Sequence, residues 1–416
     1  MNIFADKSAY EDMCRRIFHT DGETQSARFQ YILDAHEECF GHSASEIYSS
    51  PGRIEIIGNH TDHNGGKVLC ASINFDTLGA VSSRDDGIIE IKSDGYPIIR
   101  VDVTNPEFLS NEIGTSIALV KGVVDYYNRS GKKTGGFSAT MTANVPKGSG
   151  VSSSSSFELI IAEILNVKYN GGQLGPIFKA KASQYAENVY FGKPSGLMDQ
   201  SAIALGGVNL VDFSDSAEPK VQKAHWAFDD LDIYVISTGG DHSNLTDDYS
   251  AIPEEMKQVA AQFGKKLLCE IDRDRWEAEK ESIKGSVSER AYLRAEHFFE
   301  ENERVEKAVE AINGGDEQAF IDIVNASGLS SRYKLQNTYS EKGGSRNLEN
   351  ALDKVVKIEG VRASRVHGGG FAGTILVLVD NKAASAESKL RAEFGDGNVF
   401  KLAIRRKGAT RLIWEN

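Results

Sequence analysis

Four stretches of this chain gather side chains that could hold a phosphate or work on a hydroxyl. The first is Pro146-Lys147-Gly148-Ser149-Gly150-Val151-Ser152-Ser153-Ser154-Ser155-Ser156, set after a strand-like run and before an apolar helix. Glycines let the backbone approach a ligand closely, and a helix start offers unpaired N–H groups and a positive dipole end, so the stretch reads as a phosphate cradle. Its hydroxyls could also ligate Mg²⁺. It is not a Walker A loop, because G-x-x-x-x-G-K-[ST] is absent. The plainer alternative is a serine N-cap beside a flexible linker. The second stretch runs from Pro51 to Gly66, where Asn59, His60, Asp62 and His63 crowd between two glycine-bounded strands. So many hydrogen-bonding groups suit a polyhydroxylated ligand; H-T-D-H without a third nearby donor is a weak metal signal, and a solvated hairpin is the bland alternative. In the third, Lys193-Pro194-Ser195-Gly196-Leu197-Met198-Asp199-Gln200, Asp199 stands on a glycine-flanked segment, where an aspartate is otherwise a cap. The fourth, His367-Gly368-Gly369-Gly370-Phe371-Ala372-Gly373, lies between two strands; its glycines suggest close backbone approach to an anion, or simply a turn.

The elements that must carry these groups are legible from periodicity. Tyr31, Ile32, Ala35 and Cys39 recur at helical spacing, and Phe40-Gly41 ends the pattern. Short β-type runs follow at Ile54–Ile57, Val68–Ala71, Thr77–Ser82 and Ile88–Ile91, separated by turn clusters such as Asp85-Asp86-Gly87. Helices are predicted over Ser116–Asn128, from the serine run through Phe157–Leu165, and over Pro176–Val189, with a strand over Gly136–Ala143. A second texture begins with the strand Leu231–Ser237: charged helices over Glu254–Leu268 and Ser288–Ala311, then strands over Arg362–Val366, Thr374–Val379 and Val399–Ile404. This alternation predicts an α+β protein of two domains, divided in the polar segment around Pro219. The division is drawn as 1–220 and 221–416.

Composition narrows the class. At 416 residues the chain is too long for one small module and can bury a core without disulfide or metal staples. The 60 acidic against 47 basic residues give a net charge of −13, which argues against a nucleic-acid scaffold. Cys14, Cys39, Cys70 and Cys269 form no C-x-x-C pair, and no long apolar run occurs, so a reduced, cytoplasmic protein with no membrane segment is expected.

Taken in order, the four stretches resemble the GHMP small-molecule kinases, and among them the galactokinase family. The family pattern G-R-x-N-L-I-G-E-H-T-D-Y-x-x-G is met by Gly52-Arg53-Ile54-Glu55-Ile56-Ile57-Gly58-Asn59-His60-Thr61-Asp62-His63-Asn64-Gly65-Gly66. P-x-G-x-G-L-S-S-S-A-S matches Pro146 to Ser156, G-[IL]-M-D-Q matches Gly196 to Gln200, and the G-G-G-F-G-G core matches Gly368 to Gly373 except at Ala372. Glu301-Asn302 and Arg304 also resemble a charged helix of the family. The resemblance spans roughly residues 40–415.

It implies a two-domain GHMP kinase fold with the active site in the cleft between domains, and phosphoryl transfer from ATP-Mg²⁺ to a sugar's anomeric hydroxyl. It also implies roles. Asp199 would take or orient the hydroxyl proton, and Arg53 would pair with it and stabilise phosphoryl charge. Asn59, His60, Asp62, Gly196 and Tyr249 fall at sugar-contacting positions. Gly148, Ser149, Gly150, Ser152, Ser153, Ser154 and Ser155 form the phosphate loop, and Glu187 is the magnesium glutamate, with Ser153 or Ser154 as co-ligand. The expected partners are a small sugar and ATP, with no nucleic acid and no membrane, and the chain is expected to be a monomer.

The departures bear on specificity. The family's sugar-contacting glutamate is Asn59, the tyrosine after T-D is His63, and Val366-His367 replaces Met-Thr. The aromatic adenine stretch W-x-x-Y-x-x-G-V reads Ser116 to Val123. The leading expectation is a galactose 1-kinase. The alternatives are a kinase for a C6-modified or N-acetylated sugar, such as galacturonate or N-acetylgalactosamine, and a non-catalytic sugar/ATP-binding regulator.

Overall fold

Apart from Glu46, every residue of the strand Glu46–Ile57 (β1) is buried, so both faces of the strand are covered and its sequence alternates poorly. The computed structural model describes residues 7–145, 150–239, 245–340 and 346–412; the expected phosphate contacts Gly148 and Ser149 lie outside them. With β1, the larger sheet comprises β2 (Lys67–Ser83), β3 (Ile88–Ser93), β4 (Ile99–Asp102), β5 (Phe137–Ala143), β6 (Val208–Asp212) and β7 (Lys220–Ala224). Four antiparallel strands make the smaller one: β8 (Leu231–Ser237), β9 (Val361–His367), β10 (Thr374–Asp380) and β11 (Val399–Leu402), ordered β11-β8-β10-β9. The chain's last described strand, β12 (Thr410–Leu412), returns to the larger sheet beside β1.

The two short runs expected at Val68–Ala71 and Thr77–Ser82 are one long strand, β2. One edge of it pairs with β1, while the other divides between β6 near Lys67–Ala71 and β5 near Thr77–Ser83. No turn interrupts it because Ile73 is fully buried, which holds the intervening residues to the core. The register of β1 on β2 shifts between Pro51 and Arg53 and again between Glu55 and Ile57. Such bulges bend a strand and re-aim its side chains. They bracket Arg53 and Glu55, which share one face of β1.

Helices α1 (Lys7–Phe18) and α2 (Gly22–Phe40) pack on Ile47, Leu78, Ala80 and Leu412. Asp21 caps α2, its carboxylate accepting from the Thr24 N–H, and Gly41 ends the helix at φ 75°. α3 (Ser116–Arg129), α4 (Ser153–Asn170) and α5 (Pro176–Tyr185) cover the larger sheet around Val81, Ile91 and Phe137. α5 runs on into a π-helical turn, Ala186–Phe191, and α6 (Met198–Leu205) follows. α10 (Glu317–Ser330), α11 (Asn347–Val355) and α12 (Ala386–Phe394) pack against the smaller sheet, while α7 (Thr246–Gln262), α8 (Arg273–Ile283) and α9 (Glu289–Gly314) share an apolar cluster of Met256, Trp276 and Phe298, with α9 also against β2.

One apolar cluster joins the halves. It takes Ile54, Leu69 and Ile73 from the larger sheet, Val235 and Leu376 from the smaller, Val305 from α9 and Phe320 from α10. Each such side chain contributes about 1.5–3 kcal/mol on burial, so this shared core fixes how the two sheets face each other. The division expected after residue 220 falls at the first residue of β7, which pairs with β6 in the larger sheet.

Candidate active site

The Arg53 guanidinium on β1 grips the Asp199 carboxylate on α6 at both ends: Nε donates to Oδ1 at 2.7 Å and Nη2 to Oδ2 at 2.6 Å. Arg53 is buried, while the Asp199 side chain remains 27% exposed. A planar fork on a carboxylate is the strongest geometry available to an ion pair. Burial pushes the Asp199 carboxyl upward, but the Arg53 charge, its hydrogen bonds and the Ser152 hydroxyl overcome this and hold it at about 2. Arg53 Nη1 also donates to the Gly150 carbonyl, and its backbone N–H to the Val151 carbonyl at 3.2 Å. One residue therefore ties the aspartate to the serine loop.

That loop enters α4 through two left-handed residues, Gly150 at φ 69° and Ser152 at φ 59°. For a serine this conformation costs of order 1–2 kcal/mol. It leaves the head of α4 without a side-chain cap, so the first-turn N–H groups face outward as an anion site, which suits a nucleotide phosphate. Ser155 is buried within this turn and Ser153 is exposed.

Glu187 sits on the π-helical turn, 2% exposed. Its Oε1 accepts from Ser154 Oγ at 3.0 Å and faces Lys193 Nζ at 3.2 Å; Oε2 accepts from Gln200 Nε2 at 2.9 Å. A carboxylate and a hydroxyl are the hard oxygen donors Mg²⁺ prefers, and the lysine ammonium already places a cation on the same oxygen. The residues thus fit a magnesium site completed by phosphate oxygens, and Ser154, rather than Ser153, is the serine that meets Glu187. Among the described residues, no cluster of three His, Cys, Asp or Glu side chains could hold a metal unaided. Glu158, one turn beyond Ser154, is fully buried; desolvation, then the Glu187 charge, raise its carboxyl well above the usual range.

The loop after β1 supplies the pocket beside Asp199. The His60 ring bonds the Gly369 carbonyl through Nε2 at 2.8 Å, and burial, with His63 nearby, lowers its pKa to about 3, so the ring is neutral. A Cβ on Gly196 would lie 1.8 Å from Asp62 Oδ2, so glycine there is what admits the Asp62 carboxylate. Tyr249 on α7 packs edge-on against Phe371 and donates to the Gly370 carbonyl at 3.0 Å. The structure thus pairs Arg53 with Asp199, sets Asp62 against Gly196, and bonds His60 and Tyr249 to the adjacent Gly369 and Gly370 carbonyls.

Asn59 departs from expectation. It is fully buried, and its amide is spent inside the protein: Nδ2 donates to Glu55 Oε1 at 3.0 Å and to the Gly368 carbonyl at 2.7 Å, while Oδ1 accepts from Asn337 Nδ2 at 2.6 Å. Each polar atom of the side chain expected to meet a sugar therefore already has a protein partner. Gly369 and Gly370 are pressed by protein neighbours. A Cβ on Gly369 would meet the Tyr249 ring at 2.6 Å, and one on Gly370 the Asn337 carbonyl at 2.3 Å. His367 is held neutral by burial, with Nε2 accepting from the Glu55 N–H at 3.2 Å.

Sequence reasoning missed Glu55, Asn337, Lys193 and Glu158. Only Glu55 carried a signal, standing where the motif has asparagine. Asn337 lies outside every motif, and Lys193 reads as an ordinary surface charge.

A family model described as the galactokinase galactose-binding signature matches residues 34–83, and one for the GHMP kinase N-terminal domain matches residues 118–207. The galactokinase of Limosilactobacillus reuteri is 30% identical over 366 residues, covering 85% of this chain and 91% of that protein. That of Streptococcus thermophilus is 31% identical over 357 residues, covering 84% and 89%. The crystal structure of Lactococcus lactis galactokinase complexed with galactose superposes with a TM-score of 0.80 at 26% identity, covering 92% of this chain and 100% of that one. The Methanococcus jannaschii mevalonate kinase, at TM-score 0.60 and 16% identity over 86% of this chain and 98% of its own, shares the fold.

Proposed function

The chain belongs to the galactokinase family of GHMP kinases, and we propose that it transfers the γ-phosphoryl group of ATP to the anomeric hydroxyl of galactose. The observation that carries this reading is the Arg53–Asp199 pair with the Ser152 hydroxyl on the same carboxylate. It sets a carboxylate for the attacking hydroxyl directly against the loop that would cradle the phosphates.

In this reading His60, Asp62, Gly196 and Tyr249 hold the sugar, and its C1 hydroxyl faces Asp199. A carboxylate held at about 2 is a weak base. It orients the hydroxyl and takes its proton late, once the O–P bond is forming and the hydroxyl has become acidic. That timing agrees with the loose transition state of phosphoryl transfer, where positioning outweighs deprotonation. Arg53 keeps Asp199 ionised and lends positive charge beside the transferring group. Gly150, Ser152, Ser153, Ser154 and Ser155, with Gly148 and Ser149, wrap the phosphates. Ser154 and Glu187 hold Mg²⁺, which when bound neutralises phosphate charge.

All four cysteines are free thiols, which supports a reducing, cytoplasmic setting. Among the described residues, no helix is long and apolar enough to cross a membrane.

The test is ATP turnover against galactose, galacturonate and N-acetylgalactosamine, with the product's phosphate placed by NMR. Galactose is expected to lead, with phosphorus on O1. A different leading sugar would replace the substrate, and no turnover with any would replace the kinase by a binding role.

A further inference from the structure

Behind the sugar loop lies a buried polar layer that none of the roles above uses. Glu55 is 3% exposed; Asn59, Asn337 and Arg365 are fully buried. The Glu55 carboxylate pairs with Arg365 Nη2 at 2.9 Å, and Arg365 Nη1 donates to the Ile56 carbonyl at 2.6 Å. Glu55 then receives the Asn59 amide, whose other bonds run to the Gly368 carbonyl and to Asn337. The Asn59 carbonyl accepts from His297 Nε2 at 3.0 Å, and the Gly58 N–H donates to Glu301 Oε1 at 3.0 Å. The entry of the turn that presents His60 and Asp62 is thus bonded to residues beyond position 290, and after the turn the Lys67 N–H donates to Asn302 Oδ1 at 2.6 Å.

We propose that Glu55 and Asn59 form one positioning unit: the Glu55 carboxylate, backed by Arg365, locks the Asn59 amide against the Gly368 carbonyl and so sets where His60 and Asp62 stand in the sugar pocket. Three observations carry this. The two side chains share a direct hydrogen bond with no exposed polar atom at Asn59. The unit bridges β1 and the β9–β10 loop, the two segments that His60 also joins through the Gly369 carbonyl. The motif pattern has asparagine at position 55 and glutamate at 59, and this chain has the two residue types the other way round. A carboxylate introduced at 59 alone would face the Glu55 carboxylate at contact distance in a buried site, and one arginine cannot satisfy both.

This rests on the sugar-kinase reading, so the readout separates the two. Galactose and ATP binding are each measured by calorimetry, independently of turnover, for the wild type, Asn59→Glu, Glu55→Asn and the double variant Glu55→Asn/Asn59→Glu. Absence of galactose binding by the wild type would overturn the sugar reading itself. Given wild-type binding, each single substitution is expected to weaken galactose about 10- to 100-fold, the scale of a lost buried hydrogen bond to a charged group, and to leave ATP affinity within about 2-fold. The double variant is expected to recover most of the galactose loss, the non-additivity of two residues acting together. Asn59→Glu binding galactose as well as wild type, a double variant no better than the worse single, or a parallel loss of ATP affinity would each overturn the unit. If a single variant does not fold, Glu55→Gln keeps the volume and carries the same test: galactose weakened about 5-fold or more supports the unit, and unchanged galactose affinity overturns it.

Discussion

The Ser152 hydroxyl donates to Asp199 Oδ2, although Ser152 stands at the head of α4, where a serine would ordinarily cap its own helix. Left-handed backbone at φ 59° turns the side chain away from the helix and onto the carboxylate. Local stability is given up at the point where the serine loop meets the Asp199 carboxylate, the pattern expected of strain held for function.

Ser152→Gly separates these terms. Glycine adopts φ 59° without penalty but loses the hydrogen bond. The thermal midpoint is expected to stay within a few degrees while kcat falls about 10-fold, since hydrogen bonds to charged groups are worth about 1.5–3 kcal/mol. An unchanged kcat would remove Ser152 from the support of Asp199.

Asp199→Asn is expected to lower kcat by roughly 10²-fold or more while galactose still binds. It also strands the buried Arg53 charge, a loss of about 3 kcal/mol measured by urea denaturation. Adding Arg53→Met should return part of that stability and none of the activity. Near-wild-type turnover by a folded Asp199→Asn would take the carboxylate out of the mechanism.

The pH dependence follows from the sign of one shift. Asp199 is lowered from 3.8 to about 2 in the folded protein. The pair's stabilisation is therefore fully present above the unfolded value and is lost as pH falls through the folded one; over that window it amounts to about 2 kcal/mol. Denaturation midpoints of wild type and Asp199→Asn should draw together as pH falls from about 4 and converge below about pH 2. A gap that persists undiminished there would show that the ion pair is not its source.

Glu187→Gln is expected to raise the Mg²⁺ concentration for half-maximal activity about 10-fold or more, because a hard cation prefers a charged oxygen, with little change in galactose KM. Lys193→Met should shift it the other way, since the ammonium occupies the same Oε1 at 3.2 Å. Identical Mg²⁺ titrations for all three proteins would reduce Glu187 to a helix residue.

Gly196→Ala puts a methyl where the Asp62 carboxylate lies, 1.8 Å from Oδ2. Asp62 must move, so galactose KM is expected to rise about 10-fold or more with ATP KM unchanged. Equal rises in both constants would place Gly196 in the general fold rather than in the sugar pocket.

Read alone, the sequence determined the groups whose meaning is local. Gly41 ends α2 because only the left-handed region closes that helix, and the serine run opens α4 because a helix start must expose its first amides. The motifs likewise singled out Arg53, Asp199 and Glu187; the fold pairs Arg53 with Asp199 and bonds Glu187 to the neighbouring Gln200. What the tertiary structure decided was which polar groups face a ligand and which face one another. Asn59 and Glu55 are four residues apart on paper, and nothing in their spacing says that Arg365, 310 positions away, turns the carboxylate inward and takes the amide with it. The glycine run from 368 suggested an anion; in the fold, Tyr249 and Asn337 lie against Gly369 and Gly370. Burial and long-range pairing are properties of the packed chain, and a buried polar group is committed to whatever partner packing brings within hydrogen-bond reach.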